Sequence, residues 1–147
     1  MRFSALAASI AFATTLPFQA VAWEEPQRGS QIRNDLMDAM RPHAEAVFGA
    51  PVVFVVQELR VEGDVAFGML KPVRPGGQEI GFDDLGPRYR EYEDREYWSG
   101  ADMQVLYERS GRTWVATHQT FGATDAWWAD TQFCPKWHPV ILEVCAN

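Results

Sequence analysis

Residues 51–70 constrain the fold more than any other part of the chain. Pro51-Val52-Val53-Phe54-Val55-Val56 is apolar and β-branched, and too short to form a helix of its own. The run continues through Leu59 and Val61, now alternating with Glu58, Arg60 and Glu62. That is strand chemistry, predicted to be buried on both faces at first and on one face later. Gly63-Asp64 is a turn signal, and Val65-Ala66-Phe67-Gly68-Met69-Leu70 reads as the returning strand of a hairpin. Pro72, Pro75, Gly76 and Gly77 end it. A hairpin with this much apolar surface must be extended into a sheet and covered by another layer.

The flanking segments supply those parts. Ser30 is a good N-cap, and Ile32, Leu36 and Met40 recur behind it at helical spacing. Pro42 is expected to kink or end that helix. His43 to Phe48 adds a further turn or two, and Gly49 is the stop signal. Residues 103–107 read as a third strand and 113–121 as a fourth, joined at Ser110-Gly111. Trp114, Ala116 and His118 are expected on one face of the fourth strand, with Val115, Thr117 and Gln119 on the other. Thr124 or Asp125 caps a last short helix through Trp127-Trp128 to about Phe133, followed by an irregular tail from Cys134. The predicted fold class is α+β. An N-terminal helix packs on a curved four-stranded antiparallel sheet, with a short C-terminal helix and a disulfide-stapled tail.

Residues 1–22 are read as a signal peptide, leaving residues 23–147 as a single α+β domain. Arg2 begins the segment, an apolar run follows, and Ala20-Val21-Ala22 offers small residues before Trp23. A membrane anchor is the competing reading, but the apolar run falls short of the about 20 residues that a spanning helix needs. The expected location is therefore outside the cytosol, periplasmic or secreted. There Cys134 and Cys145, the only two cysteines, are expected to join. Closing a loop of about 10 residues stabilises by roughly 2–3 kcal/mol in the chain-entropy model. A metal site of Cys134, His138, Cys145 and Asp130 is the alternative, although the spacing matches no common zinc pattern. No metal and no cofactor are expected. The formal charge of −7 argues against nucleic acid and anionic lipid as partners.

Residues 78–102 differ in character. They hold eight acidic and three basic residues, with Phe82, Tyr89, Tyr92, Tyr97 and Trp98 among them. Leu85, Tyr89 and Tyr92 fall at i, i+4 and i+7, and Glu91 and Arg95 are spaced to pair, so a short acidic helix between two loops is predicted.

With these elements in order, the chain resembles the cystatin-like and NTF2-like α+β group, and more narrowly small exported bacterial proteins of unassigned function. The matching stretches run from Leu36-Met37-Asp38-Ala39-Met40-Arg41-Pro42 through Pro51 to Phe67. They resume at Leu106 to Trp114 and at Gly122-Ala123-Thr124-Asp125-Ala126-Trp127. The resemblance implies a helix lying across a curved antiparallel sheet and an exported setting. It implies no reaction, because this architecture hosts enzymes and binding modules alike. The acidic insert and the cysteine-bearing tail depart from a minimal domain of this kind.

Few residues carry a reaction signature. Ser30, Ser99 and Ser110 read as cap, loop and turn, and none lies in G-x-S-x-G. His118 with Asp125 is the one candidate acid–base pair, provided the His118 face lines the cup of the sheet. The other reading of His118 is a half-buried strand residue. Arg74, in a proline- and glycine-bearing turn, either holds an anion or faces solvent. The aromatics point elsewhere. Tandem Trp127 and Trp128 cannot both face a core from one helix, so one is expected at the surface, under the tail, or at a contact. The favoured function is an exported, non-catalytic domain binding a protein, peptide or small ligand. Tyr89, Tyr92 and Trp98 of the insert, Trp127 and Trp128 of the Trp-rich end, and Arg74 would make the contacts. The alternatives are a small enzyme using His118 and Asp125, and an assembly module pairing through a free sheet edge.

Overall fold

The computed structural model describes residues 23–145. The leader read from residues 1–22 lies outside them. Element order is α1 (Gln31–Phe48), β1 (Val53–Glu62), β2 (Val65–Val73), α2 (Pro87–Arg90), β3 (Met103–Ser110), β4 (Thr113–Phe121), α3 (Cys134–Trp137) and α4 (Leu142–Cys145). Four short 3₁₀ turns lie between them, at Phe82–Asp84, Arg95–Tyr97, Trp127–Ala129 and Thr131–Phe133. The strands form one open antiparallel sheet in the order β1-β2-β3-β4. The α+β architecture read from the sequence is the one observed.

Helix α1 starts where the cap chemistry places it, with the Ser30 hydroxyl accepting from the Arg33 N–H at 3.4 Å. It buries Leu36, Met40, Ala44, Val47 and Phe48 against the sheet. Pro42 neither ends nor divides it: the helix runs unbroken to Phe48. Pro42 is exposed, so the Asp38 carbonyl that loses its helical donor faces the solvent side, while the buried stripe holds both halves in line.

Glu62 and Val65 pair across the two-residue Gly63-Asp64 turn, where Gly63 has φ +55. Farther along, β1 carries a bulge at Gln57, between the Val56–Leu70 and Glu58–Met69 pairs. The extra residue reverses the side-chain alternation. Phe54 and Val56 before it, and Leu59 and Val61 after it, therefore all pack on the α1 side. This corrects the expectation that the start of β1 is buried on both faces. Val53 and Val55 are 37% and 51% exposed. β1 is an edge strand, and the layer on the sheet's far face covers only its hairpin end.

A second bulge, at Thr117 in β4, overturns the predicted face of His118. Trp114 and Ala116 do face α1. Past the bulge, Gln119 reaches the His43 ring at 3.3 Å and Phe121 packs edge-on to Phe48 at 5.6 Å, so these two now face the helix. His118 is turned to the far face, against the rings of Phe133 at 5.1 Å and Trp137 at 5.3 Å.

That far face has its own apolar layer. Val65, Phe67 and Leu106 of the sheet are covered by Trp128, Phe133, Trp137, Val140 and Ile141. The segment is neither one helix to Phe133 nor irregular after Cys134. It is two 3₁₀ turns followed by α3 and α4. Pro135 sits in the first turn of α3, where its missing N–H would have no helical partner, and Pro139 follows the end of that helix. Trp137 Nε1 donates to the Tyr107 carbonyl at 2.8 Å, beside the β4 bulge. Arg60 donates to the Val140 carbonyl at 2.9 Å and to Glu143 at 2.6 Å, and also pairs with Glu58. Burial works to lower the Arg60 pKa, but the hydrogen bonds to Glu143 and Glu58 outweigh it, and the net shift is upward. Cys134 and Cys145 are disulfide-bonded, with Cα atoms 5.6 Å apart. The bond takes both sulfurs from the alternative metal set. No helix among the described residues is long and apolar enough to cross a membrane.

Between the layers, Tyr107 is fully buried and its hydroxyl has no hydrogen-bond partner among the described residues. Burial pushes its pKa up. A lone buried hydroxyl costs free energy that a phenyl ring does not. Tyr107→Phe is expected to leave stability unchanged or raise it by about 1 kcal/mol, measured by urea unfolding. A loss above about 1 kcal/mol would mean that the hydroxyl is satisfied.

Candidate binding surface

The insert between β2 and β3 is fastened to the end of α1 rather than hanging free. Arg74 is its main fastener. One guanidinium nitrogen donates to the Gly49 carbonyl at 2.6 Å and the Pro51 carbonyl at 3.1 Å; the other donates to the Phe48 carbonyl at 2.8 Å and to Asp84 at 3.1 Å. Three of these acceptors lie at or just past the C-terminus of α1, where carbonyls lack helical donors and a cation is favoured. Arg74 is thus neither solvent-facing nor free to hold an anion. Gly86 completes the joint: its N–H donates to the Val47 carbonyl at 2.8 Å, and an added Cβ would sit 3.3 Å from that oxygen.

Asp84 links the joint to the first 3₁₀ turn by accepting from the Gly81 N–H at 2.8 Å. That backbone hydrogen bond, reinforced by Arg74 against an opposing burial effect, holds the carboxyl below its ordinary pKa. A carboxylate with a depressed folded pKa contributes stability above its unfolded pKa of about 4. That contribution is lost as pH falls through the lower folded value. The stability gap between wild type and Asp84→Asn is therefore expected to be largest at neutral pH and to shrink below about pH 4. A gap that stays constant between neutral and acid pH in urea titrations would contradict this coupling.

Aromatic rings divide the insert into an anchored part and an exposed part. Tyr89 and Trp98 meet Phe121 at 5.8 and 6.3 Å, and Trp98 also meets Phe82 at 6.0 Å. These rings are half-buried and root the insert on the α1 core. Tyr92 and Tyr97 are 81% and 75% exposed. The helical spacing that joined Tyr92 to Tyr89 does not apply, because α2 covers only Pro87–Arg90. Tyr97 belongs to the insert's aromatic set but not to the contacts named from the sequence; its place between Glu96 and Trp98, in a turn with no apolar period, is the signal that marks it as outward. Arg95 does not pair with Glu91. It pairs with Asp83 and lies 4.5 Å from the Phe82 ring centroid. Among the described residues, Glu91, Glu93, Asp94 and Glu96 take part in no ion pair.

A cleft of about 390 Å³ opens beside Trp98, lined also by Lys71, Glu79, Ser99 and Asp102. Lys71 pairs with Glu79 at 2.5 Å, and Asp102 accepts from Gln57 at 3.0 Å. The hydrogen bond to Lys71 lowers the Glu79 pKa, and the same bond raises that of Lys71.

The remaining candidates are scattered. Trp128 is only 7% exposed and packs on Phe67 at 4.8 Å. Trp127 is half-buried against Phe133 at 5.5 Å. Both indoles belong to the far-face layer, one inside it and one at its margin. Neither of their buried Nε1 atoms has a hydrogen-bond partner among the described residues. His118 and Asp125 are both exposed, share no hydrogen bond among the described residues, and lie on the face opposite α1 or in the loop beyond it. No protein-family model, no curated protein and no solved structure matches the chain.

Proposed function

We propose that this chain is an exported, non-catalytic binding domain whose insert captures a basic protein or peptide segment. The observation that carries the reading is the exposure of Tyr92 and Tyr97 beside carboxylates that have no ionic partner among the described residues. Tyrosine offers a large, rigid contact face at small entropic cost, and carboxylates around it attract and orient a cation-rich partner. The anchoring of the insert through Arg74, Tyr89 and Trp98 supports the reading, because a pre-positioned surface loses less entropy on binding. An oxidising compartment is the ordinary setting for a disulfide such as Cys134–Cys145, which supports export. Likeness to the cystatin-like and NTF2-like group belongs to this proposal as a matter of architecture and brings no reaction with it.

The test is titration with a short synthetic Lys/Arg-rich peptide and, as control, its Glu-rich counterpart. Backbone amide shifts should move at residues 91–98 with the basic peptide alone, and binding should weaken as salt rises. Tyr92→Ala with Tyr97→Ala is expected to weaken binding by roughly 30-fold, the size of a 2 kcal/mol hot spot. Equal binding of both peptides, or shifts confined to another face, would refute the reading.

A further inference from the structure

We infer that β1 is a self-association edge, at which a second copy of this chain adds its own β1 antiparallel across a twofold axis at Val55. The inference stands apart from the insert and uses different residues. Val61 exchanges both backbone hydrogen bonds with Glu24, at 2.9 Å each, on the side away from β2. Antiparallel alternation, carried through the Gln57 bulge, then aims the backbone groups of Phe54, Val56 and Leu59 outward too. Pro26 stops the Glu24 segment from following β1 further, because its nitrogen carries no hydrogen. Among the described residues, no backbone bond reaches the outer edge from Val53 to Leu59.

An exposed edge is ordinarily blunted by charge. Residues 51–57 carry none, in a chain of net charge −7. Two copies of equal net charge repel overall, and this window adds nothing to that repulsion. Its sequence also fits itself. With Val55 on the axis, Phe54 pairs with Val56 of the second copy and the reverse, so the outward-facing groups meet each other. Val55 then faces its own counterpart at a non-hydrogen-bonded position, at a Cα separation of about 4.5 Å. That contact covers the most exposed valine of the sheet, which stands 51% open in the single chain. Room is present on the helix side, where a groove of about 470 Å³ lies between Met37, Asp38 and Arg41 of α1 and Val53 and Phe54 of β1. The paired stretch is short, ended by the bulge on one side and Pro51 on the other. The dimer is accordingly weak, with a dissociation constant of roughly 10–100 µM.

Sedimentation velocity over a concentration series tests this. Wild type should shift from monomer to dimer and no further, and added salt should strengthen the dimer by screening the −7 charges. Val55→Lys, at a solvent-exposed position, should stay folded by circular dichroism and remain monomeric throughout. Val55→Cys, with oxidised glutathione, should give a covalent dimer on non-reducing electrophoresis. Val53→Cys should not, because its counterpart lies about 13 Å away in this register. A wild type that stays monomeric to millimolar concentration would overturn the proposal and leave the edge to a strand from another protein. So would a dimer that survives Val55→Lys, or equal cross-linking at positions 53 and 55.

Discussion

Replacing Trp137 with alanine is expected to cost about 3–5 kcal/mol of unfolding free energy. The indole is 5% exposed and lies at the centre of the layer on the far face of the sheet. It meets the rings of Phe133 at 5.9 Å and His118 at 5.3 Å, so truncation opens a cavity that neighbouring aromatic rings fill poorly. It also removes the 2.8 Å hydrogen bond to the Tyr107 carbonyl, which keeps only its ladder partner Ala66. Trp137→Phe separates the two effects: it keeps most of the ring and loses the donor, for a cost of about 1–3 kcal/mol. Urea unfolding followed by near-ultraviolet circular dichroism measures both variants. A loss below about 1 kcal/mol for Trp137→Ala would mean that the tail contributes little to the fold.

Arg74→Ala is expected to cost roughly 2–4 kcal/mol, well above an ordinary surface change. Its guanidinium holds three carbonyls at and beyond the end of α1 together with the Asp84 carboxylate. Removing it strands part-buried acceptors and leaves Asp84 without its cation. Arg74→Lys should recover only part of the loss, because one ammonium group cannot span the same fork of acceptors. The variant should also speed amide exchange across the insert, most clearly at Gly86, whose N–H bonds to Val47 next to the clamp. Unchanged stability with unchanged exchange at Gly86 would show that Tyr89, Trp98 and Leu85 alone hold the insert.

What the sequence revealed was local chemistry. Ser30 as a cap, Gly63-Asp64 as a turn and the paired cysteines each declare themselves within a few residues, and each stands in the structure as read. The two bulges do not declare themselves. One extra residue at Gln57 or Thr117 reverses the alternation of everything beyond it, and no residue type marks either place. For that reason alternation places His118 on the wrong face, whereas Val53 and Val55 stand open because the far-face layer does not reach their end of β1. Pro42 does not break α1 because the packing of Leu36, Met40, Ala44 and Val47 outweighs a local breaker. Arg74 was illegible for another reason. Its partners lie 10 to 26 residues away, and a loop arginine looks the same whether it faces water or a helix end. The tandem tryptophans were legible only as a choice, which the far-face layer resolves by enclosing Trp128 and half-covering Trp127.

The central claim is a division of labour among the aromatic residues: those of the tail stabilise the fold, while the two exposed tyrosines of the insert are spare. Equilibrium urea unfolding of the Tyr92→Ala, Tyr97→Ala double variant tests it most directly. The account predicts a midpoint and slope close to wild type, within about 0.5 kcal/mol, as for other surface positions. A loss of about 2 kcal/mol or more would place these rings in the fold and contradict the claim.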